Sequence, residues 1–237
     1  AIGIAALYSN TTGYNNTANG NVALYFNTVG YNNTAVGTQA LYNNNSGTFN
    51  TAIGYQAGFN NTTGGVNLFL GEQAGYLNTT GSFNCYAGYN AGGHNTTGNF
   101  NAYYGYASGL ANTTGIQNTF LGYEAGYIAT GDDNTFVGYQ SNANSSDPSI
   151  SNSSGFGFQA IATAANQIIL GNPVVQAIDA FCNFFNISDG RYKKNITENI
   201  PGLNFINKLK PVTYTLDVHG LNKKLGINED NVLAKAS

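Results

Sequence analysis

One arrangement of polar, apolar and glycine positions recurs every 17 residues along most of the chain. Each copy contains a short run rich in apolar residues that is closed by a glycine, called here the corner glycine. Asparagine stands four residues before this glycine, and alanine or serine stands three residues after it. The corner glycines are Gly3, Gly20, Gly37, Gly54, Gly71, Gly88, Gly105 and Gly122, and Gly138 follows after a step of 16. A fixed period of this kind indicates a repeat architecture.

The repeat is too short for helices but long enough for a coil of β structure. Helical repeats and propeller blades need about 33 residues or more, and the high glycine content opposes helix. Each coil has room for two short strands, such as 119–121 and 123–125, joined by turns where glycine and asparagine adopt positive φ. Coils stacked about 4.8 Å apart pair each strand with its equivalents. The sequence therefore predicts an all-β fold, a β-solenoid (parallel β-roll) of 17-residue coils.

A coil of this size has a thin interior, and it contains large side chains that need cover. Aromatic residues stand two positions before the corner glycine in five successive coils, at Phe69, Tyr86, Tyr103, Phe120 and Phe136. Because alanine and glycine occupy neighbouring positions, we expect these rings to be covered from outside their own coil. Homotrimerisation, in which three thin rolls share an apolar axis, is the predicted solution.

Composition divides the chain into three regions. Residues 1–140 carry the repeat shaft, 141–187 contain a polar loop, a terminal coil and a neck, and 188–237 form a separate tail. All eight Lys and Arg residues lie between Arg191 and Lys235. The body before them has no cation to neutralise phosphates, which excludes nucleic acid as its partner. No run of about 18 apolar residues is present, so we expect no membrane insertion by this segment.

The cysteines and histidines do not form a site for a metal or cofactor. Cys85 and Cys182 are far apart and fit no metal-binding or redox spacing, so we expect buried thiols. His94 and His219 are the only histidines, and they are distant in sequence. We therefore predict no metal site and no cofactor.

Three sets of surface residues are candidates for recognition or modification. Tyrosines that follow the corner glycine are candidates for stacking on a cell-surface glycan: Tyr55, Tyr89, Tyr106, Tyr123 and Tyr139. Recurring Asn-x-Thr sequons are candidates for glycosylation, the alternative being polar ladders at the corners: Asn61, Asn78, Asn95 and Asn112. Paired threonines, such as those at 62–63 and 79–80, leave an ice-binding solenoid open as an alternative function.

The repeat resembles the left-handed parallel β-roll heads of trimeric autotransporter adhesins and related phage fibre shafts. The resemblance rests on motifs such as Asn-Thr-Ala-Ile-Gly at 50–54 and on Asn-Gln-Ile-Ile-Leu-Gly-Asn at 166–172, which is similar to the closing segment before a neck. It covers about 170 residues, although the coil here is longer than in those heads. The resemblance implies an extracellular trimeric fibre, on a cell surface or a virion, that attaches to a receptor or glycan.

The tail resembles the start of the intramolecular chaperone domain of endosialidase-type tailspikes and fibres. The resemblance is carried by Ser-Asp-Gly-Arg-Tyr-Lys-Lys-Asn-Ile at 188–196 and Lys-Pro-Val-Thr-Tyr at 210–214. It implies a short mixed or helical segment that drives trimerisation and then cleaves itself off. The family's serine and lysine match Ser188 and Lys193, which places the scissile bond at Ile187–Ser188. Lysine with a lowered pKa is able to activate a weak hydroxyl nucleophile.

These observations favour a structural fibre or adhesin protein with a C-terminal trimerisation region. Two alternatives stay open: a self-processing Ser/Lys protease activity of the tail, and the ice-binding solenoid. The shaft itself carries no pattern that is typical of an enzyme.

Overall fold

The computed structural model describes residues 1–178, which fold into a solenoid of short parallel strands without a helix. The strands are β1 Thr17–Asn19, β2 Thr34–Val36, β3 Thr51–Ile53, β4 Leu68–Leu70, β5 Cys85–Ala87, β6 Ala102–Tyr104, β7 Thr119–Leu121, β8 Thr135–Val137, β9 Asn142–Ala143, β10 Ser154–Phe156, β11 Ile161–Ala162 and β12 Ile168–Leu170. Ten of them form one parallel sheet in the order β1-β2-β3-β4-β5-β6-β7-β8-β10-β12, and β9 pairs with β11. The predicted all-β solenoid is confirmed.

Every strand of the large sheet pairs with its equivalent in the next coil. Thr34 lies opposite Thr51, and Ala35 lies opposite Ala52. The same register continues across the loop that follows residue 140, because Phe136 pairs with Gly155 and Gly155 pairs with Ile169. With a strand spacing of about 4.8 Å, ten strands span on the order of 43 Å.

Each regular coil has one three-residue strand, so the expectation of two strands per coil is wrong. Segment 123–125 lies in a turn. The reason is its backbone conformation, since φ is +138° at Gly122, +52° at Glu124 and +62° at Gly126. Such angles interrupt an extended strand. The remainder of the coil is a series of tight turns.

The corner glycines are required by close packing between coils. Gly88 has a φ of +141°, and a Cβ atom at this position would overlap the carbonyl oxygen of Gly105 in the next coil. The same overlap recurs between successive corner glycines from Gly3 to Gly138. Only a residue without a side chain allows the backbones to stack at this distance.

Two of the rows that fill the interior contain residues whose sizes compensate each other. The first, the core row, lies two residues before each corner glycine, and the second, the facing row, lies four residues after it. Early coils combine a small core-row residue with a large facing residue, as in Ala35 and Leu41. Later coils reverse the sizes, as in Tyr86 and Gly92, where an added Cβ would lie 2.7 Å from the Tyr86 ring. The facing glycines therefore make room for the core aromatics.

This compensation corrects the argument for trimerisation that the sequence suggested. All five core aromatics are fully buried within the single chain: Phe69, Tyr86, Tyr103, Phe120 and Phe136. Consecutive rings lie against each other, with centroids 4.9 Å apart between Tyr86 and Tyr103 and 4.7 Å apart between Tyr103 and Phe120. The core row needs no cover from other chains, so a trimer would have to form through another surface.

A buried ladder of asparagines joins the coils at the start of each strand. Asn84 is typical, because its Oδ1 accepts the backbone N–H of Asn101 at 3.0 Å and its Nδ2 donates to the Gly98 carbonyl at 2.8 Å. The pattern extends along the row, and Ser153 donates its backbone N–H to Asn134 at 3.0 Å to continue it past the loop. Each side chain thus satisfies backbone groups that turns would otherwise leave unpaired.

A second asparagine ladder lies seven residues after the corner glycines. Asn44 donates from Nδ2 to Asn27 Oδ1 at 2.8 Å and to the Gly47 carbonyl at 3.0 Å. At Asn95 and Asn112 the amide is assigned with Nδ2 directed toward the preceding coil, as in the rest of the ladder. Asn95 Nδ2 then supplies the donor for Asn78 Oδ1, which would otherwise be unpaired. Both asparagine ladders are interior structural elements.

The core row contains two tyrosine hydroxyls that lack hydrogen bonds. Tyr86 and Tyr103 are fully buried, and neither Oη atom has a partner of acceptable geometry. Burial raises the pKa of Tyr86, and the nearby Asn101 amide offsets only part of that rise. Burial also raises the pKa of Tyr103, and the neighbouring Tyr86 adds to it. A buried unpaired hydroxyl costs about 1–3 kcal/mol.

The compensation between the two interior rows predicts a favourable coupling in a double-mutant cycle. Gly92→Leu should lower the free energy of unfolding by about 1–3 kcal/mol, because the new side chain collides with the Tyr86 ring. Adding Tyr86→Ala recreates the combination found at Ala35 and Leu41. Denaturant unfolding should show the double variant at least about 1 kcal/mol more stable than the sum of the single effects. As a control, the effects of Gly92→Leu and Phe136→Ala on the free energy of unfolding should be additive, because these residues lie three coils apart. A coupling there as large as that between positions 92 and 86 would contradict the size compensation between Gly92 and Tyr86.

Removing an unpaired hydroxyl from the core row should stabilise the solenoid. Tyr103→Phe is expected to raise the free energy of unfolding by about 1 kcal/mol, because the phenylalanine keeps the ring stack without the buried oxygen. The matched control is Phe120→Tyr, which adds a hydroxyl in the next coil and should lower stability by a similar amount. Thermal and denaturant unfolding measure both changes, and a clear loss of stability in Tyr103→Phe would show that its hydroxyl is bonded.

Candidate binding surfaces

The outward side of the large sheet carries a continuous apolar surface, called here the sheet face. It consists of the outward strand residues and the residues five positions before each corner glycine. Its eight most prominent apolar side chains are 40–58% exposed: Phe49, Ile53, Val66, Leu70, Phe83, Phe100, Tyr104 and Leu121. These rows contain no charged residue between Phe49 and Leu121. An uncharged apolar surface of this extent is a candidate interaction surface.

Cys85 belongs to the sheet face, so the expectation of a buried thiol at this position is wrong. It begins β5 with its side chain on the outward side, partly exposed, and its Sγ lies 2.9 Å from the Tyr104 hydroxyl. This hydrogen bond, followed by desolvation, raises the pKa of Tyr104. Phe49, Val66 and Phe83 line an open groove of about 460 Å³ beside Cys85. The groove runs along the sheet face between the row that contains Phe49 and the row that contains Thr51 and Cys85.

Four of the five tyrosines proposed to bind glycans form a stack. Ring centroids are 5.1 Å apart between Tyr89 and Tyr106, 4.9 Å between Tyr106 and Tyr123, and 5.1 Å between Tyr123 and Tyr139. Partial desolvation and the adjacent Glu124 carboxylate raise the pKa of Tyr123. Since each inner ring is covered on both faces, the stack presents edges and hydroxyls rather than free faces to a sugar.

Tyr55 stands apart from this tyrosine stack. Thr38 and Glu72 occupy the equivalent positions in the adjacent coils, so Tyr55 has no aromatic neighbour in its row. Its side chain is 47% exposed. Among the five tyrosines, it is the one whose ring is best placed for stacking on a glycan.

The four sequon asparagines lie in the second asparagine ladder. Asn61, Asn78, Asn95 and Asn112 are fully buried. Asn61 Nδ2, the atom to which a glycan would be attached, donates to Asn44 Oδ1 at 2.7 Å and to the Gly64 carbonyl at 3.0 Å. The folded coil has no room for a glycan at this atom. The geometry agrees with the alternative interpretation, in which these residues build polar ladders at the corners.

The threonine pairs lie at a bend eight and nine residues after the corner glycine, and the first threonine of several pairs uses its hydroxyl as a donor within the solenoid. Thr62 Oγ1 donates to the Thr79 carbonyl at 2.9 Å, and Thr79 Oγ1 donates to the Thr96 carbonyl at 2.9 Å. The second residue of each pair, such as Thr63 or Thr80, is exposed. Because the pairs occupy bends, they do not form a flat strand surface. Ice binding stays an untested alternative.

A cavity of about 640 Å³ lies where the regular coils end. The row of residues five positions after the corner glycine changes there from Tyr127 to the small, buried Ala143. The cavity is lined by Glu124, Tyr127, Ile128, Gln140, Asn142, Ala143, Asn144, Ser145, Gln159, Ile161, Asn172, Pro173 and Val174. It shares no residue with the sheet face.

The remaining candidates from the sequence lie outside the described residues. These are Ser188, Lys193 and the bond at Ile187–Ser188, together with Cys182 and the tail at 188–237. Within residues 1–178, no group of three or more His, Cys, Asp or Glu side chains is arranged to hold a metal ion. No helix in that part of the chain is long and apolar enough to span a membrane.

Sequence reasoning did not identify the sheet face or the end cavity, although both leave a signal. The sheet face follows from the aliphatic residue immediately before many corner glycines, for example Ile53, Leu70 and Leu121, which strand alternation directs outward. The end cavity is signalled by the small Ala143, which follows Leu110 and Tyr127 in the same row just before the irregular loop begins. Both signals become interpretable only when the inward side of the strand is known.

Comparisons with known proteins give no family for the chain. No family model matches it, and no curated protein or solved structure is significantly similar to it. The resemblances drawn from the repeat and from the Ser188 motif therefore remain predictions.

Proposed function

We propose that this protein is a structural fibre or adhesin subunit that forms an elongated homotrimer and attaches to a cell or host surface. The observation that carries the proposal is the uninterrupted ten-stranded parallel sheet with an apolar outward face. The sheet supplies a stiff element of constant cross-section, and its face supplies a surface for assembly. This role places the fibre outside the cell, on a cell surface or a virion.

The stiffness of the shaft follows from the number of bonds that join each coil to the next. Strand pairing, two asparagine ladders and stacked aromatic rows all run parallel to the solenoid axis. Each additional coil repeats the same contacts, so length is added without a new core. Such a unit suits a spacer that holds a binding surface away from its support.

Further copies of this chain are the partner that best fits the sheet face. Its apolar side chains recur at the strand spacing of about 4.8 Å, and another copy carries the same period. Half-exposed aromatic side chains offer about 75–125 Å² each, and together with the smaller aliphatic side chains the eight most prominent offer on the order of 700 Å². A standard interface buries about 800 Å² on each partner. The sheet face has no charged residue between Phe49 and Leu121, so it has no ionic group that would favour a charged partner.

Two other functions stay as alternatives. Self-cleavage at Ile187–Ser188 by Ser188 and Lys193 concerns residues that the structure does not describe. Ice binding by the threonine rows loses support because Thr62 and Thr79 use their hydroxyls within the solenoid. A freezing-hysteresis assay tests the second alternative, and the intact mass of wild type and Ser188→Ala tests the first.

Sedimentation velocity of the full chain tests the proposed trimer. We expect the wild type to sediment as an elongated particle with three times the monomer mass. The double variant Leu70→Lys/Leu121→Lys places charges on the sheet face and should weaken association at least tenfold, because both side chains are about half exposed there.

The matched control carries the same charges on the threonine rows, in Thr80→Lys/Thr97→Lys, where both side chains are exposed. This control should remain trimeric. A wild type that is monomeric at micromolar concentration would overturn the proposal. Equal dissociation of the control and of the sheet-face variant would show that the trimer does not use the sheet face.

A further inference from the structure

We infer that the end cavity is a binding site for one or two residues of a neutral saccharide. This inference rests on the proposed attachment function and gives it a ligand class. The cavity has a volume of about 640 Å³, within the range of small-molecule sites. It exists because the regular coil ends, so it occurs once in the described part of the solenoid, unlike the surfaces that repeat in every coil.

A buried amide with an unused donor faces this cavity. Asn142 is only 8% exposed, and its Oδ1 accepts the backbone N–H groups of Ala143 at 2.9 Å and Ile128 at 3.3 Å. These bonds fix the orientation of the amide and leave Nδ2 without a partner among residues 1–178. Nδ2 is open to the cavity rather than enclosed in the protein interior, so it is free to donate to a ligand oxygen there.

A carboxylate held in place by a chain of side-chain hydrogen bonds also lines the cavity. Glu124 Oε2 accepts from Gln140 Nε2 at 2.7 Å, and Gln140 Oε1 accepts from Gln159 Nε2 at 2.9 Å. The Glu124 carboxylate also lies near the Tyr123 hydroxyl and adds to the rise that desolvation produces in the pKa of Tyr123. Because the neighbouring coils fix the carboxylate, little side-chain freedom is lost when a ligand binds.

The apolar wall of the cavity contains an aromatic ring that is not part of a stack. Tyr127 is 38% exposed, and its row neighbours in the adjacent coils are Leu110 and Ala143, neither of which is aromatic. Ile161 and Pro173 also line the cavity. Unlike the stacked tyrosines, Tyr127 has no ring against either face along its row.

This combination of groups matches the chemistry of a neutral sugar. Sugar hydroxyls accept a hydrogen bond from an amide such as Asn142 Nδ2 and donate to a carboxylate such as Glu124, and the C–H face of the ring packs on an aromatic side chain. The Glu124 charge disfavours acidic sugars, and the described residues contain no Lys or Arg to neutralise them. Glu124 is the only acidic residue that lines the cavity, whereas glycoside hydrolysis uses a pair of carboxyl groups. The site therefore suits binding without cleavage.

Calorimetric titration of the full chain tests this inference with four probes. Methyl mannoside, methyl galactoside and N-acetylglucosamine are the neutral probes, and N-acetylneuraminic acid is the anionic one. At least one neutral probe should bind, while the anionic probe should not. Glu124→Gln and Asn142→Asp should each weaken binding about tenfold or more, because each replaces one of the two polar groups. Glu72→Gln removes the same charge from another coil and should leave binding unchanged.

Three results would overturn the inference: no neutral probe binds, both cavity variants bind like wild type, or N-acetylneuraminic acid binds as tightly as the neutral sugars. Circular-dichroism melting of each variant checks that the solenoid remains folded. Sedimentation velocity on the same samples separates this inference from the proposed fibre. A trimer that binds no sugar would contradict the saccharide site alone, and a monomer would contradict the fibre.

Discussion

The structure depends on one constraint, the stacking of equivalent positions in coils that lie one strand spacing apart. At about 4.8 Å, each residue lies directly against its counterpart in the next coil, so every position must tolerate contact with a copy of itself. Glycine meets glycine at the corners because a Cβ atom would strike the next carbonyl oxygen. Asparagine meets asparagine because its amide both donates and accepts. Aromatic rings stack face to face because equivalent positions lie one strand spacing apart.

The stacking constraint also explains why positive φ is so common in residues other than glycine. Val66, Phe83 and Phe100 have φ values of +59° in equivalent positions of three successive coils. Bulky residues rarely adopt this conformation, and no local preference accounts for it here. The hydrogen bonds of the neighbouring coils hold the turn, so the cost to one residue is offset by contacts that the whole stack makes.

The repeat allowed the solenoid, its period and the stacking of asparagine on asparagine to be predicted, because those features depend on spacing alone, whereas the burial of the asparagine rows was not predicted. The number of strands per coil was not predictable from spacing, since Glu124 resembles a strand residue but adopts a positive φ. The expectation that the core aromatics need cover from other chains was wrong, because Gly58, Gly75, Gly92, Gly109 and Gly126 make room for the rings inside the coil. The end cavity depends on where a loop of irregular sequence places Asn142, which no periodic pattern encodes.

A division of roles between surfaces follows from the closed interior. The core is complete within one chain, so the sheet face is free for assembly, and the end cavity, built from other residues, is free for a ligand. Repeated surfaces suit a partner with the same period, whereas a surface that occurs once suits a small ligand. In the proposed fibre, the sheet face would serve assembly and the end cavity would serve recognition.

Hydrogen exchange of the asparagine side-chain amides, measured by NMR, tests the stacked-coil account most directly. The Nδ2 protons of the two ladders are buried and bonded between coils, as in Asn84 and Asn44. The account predicts that they exchange orders of magnitude more slowly than the exposed amide of Asn152, whose Nδ2 bonds to Asn166 at the surface. Ladder amides that exchange as fast as that of Asn152 would contradict the stacking on which the fold, the sheet face and the end cavity all depend.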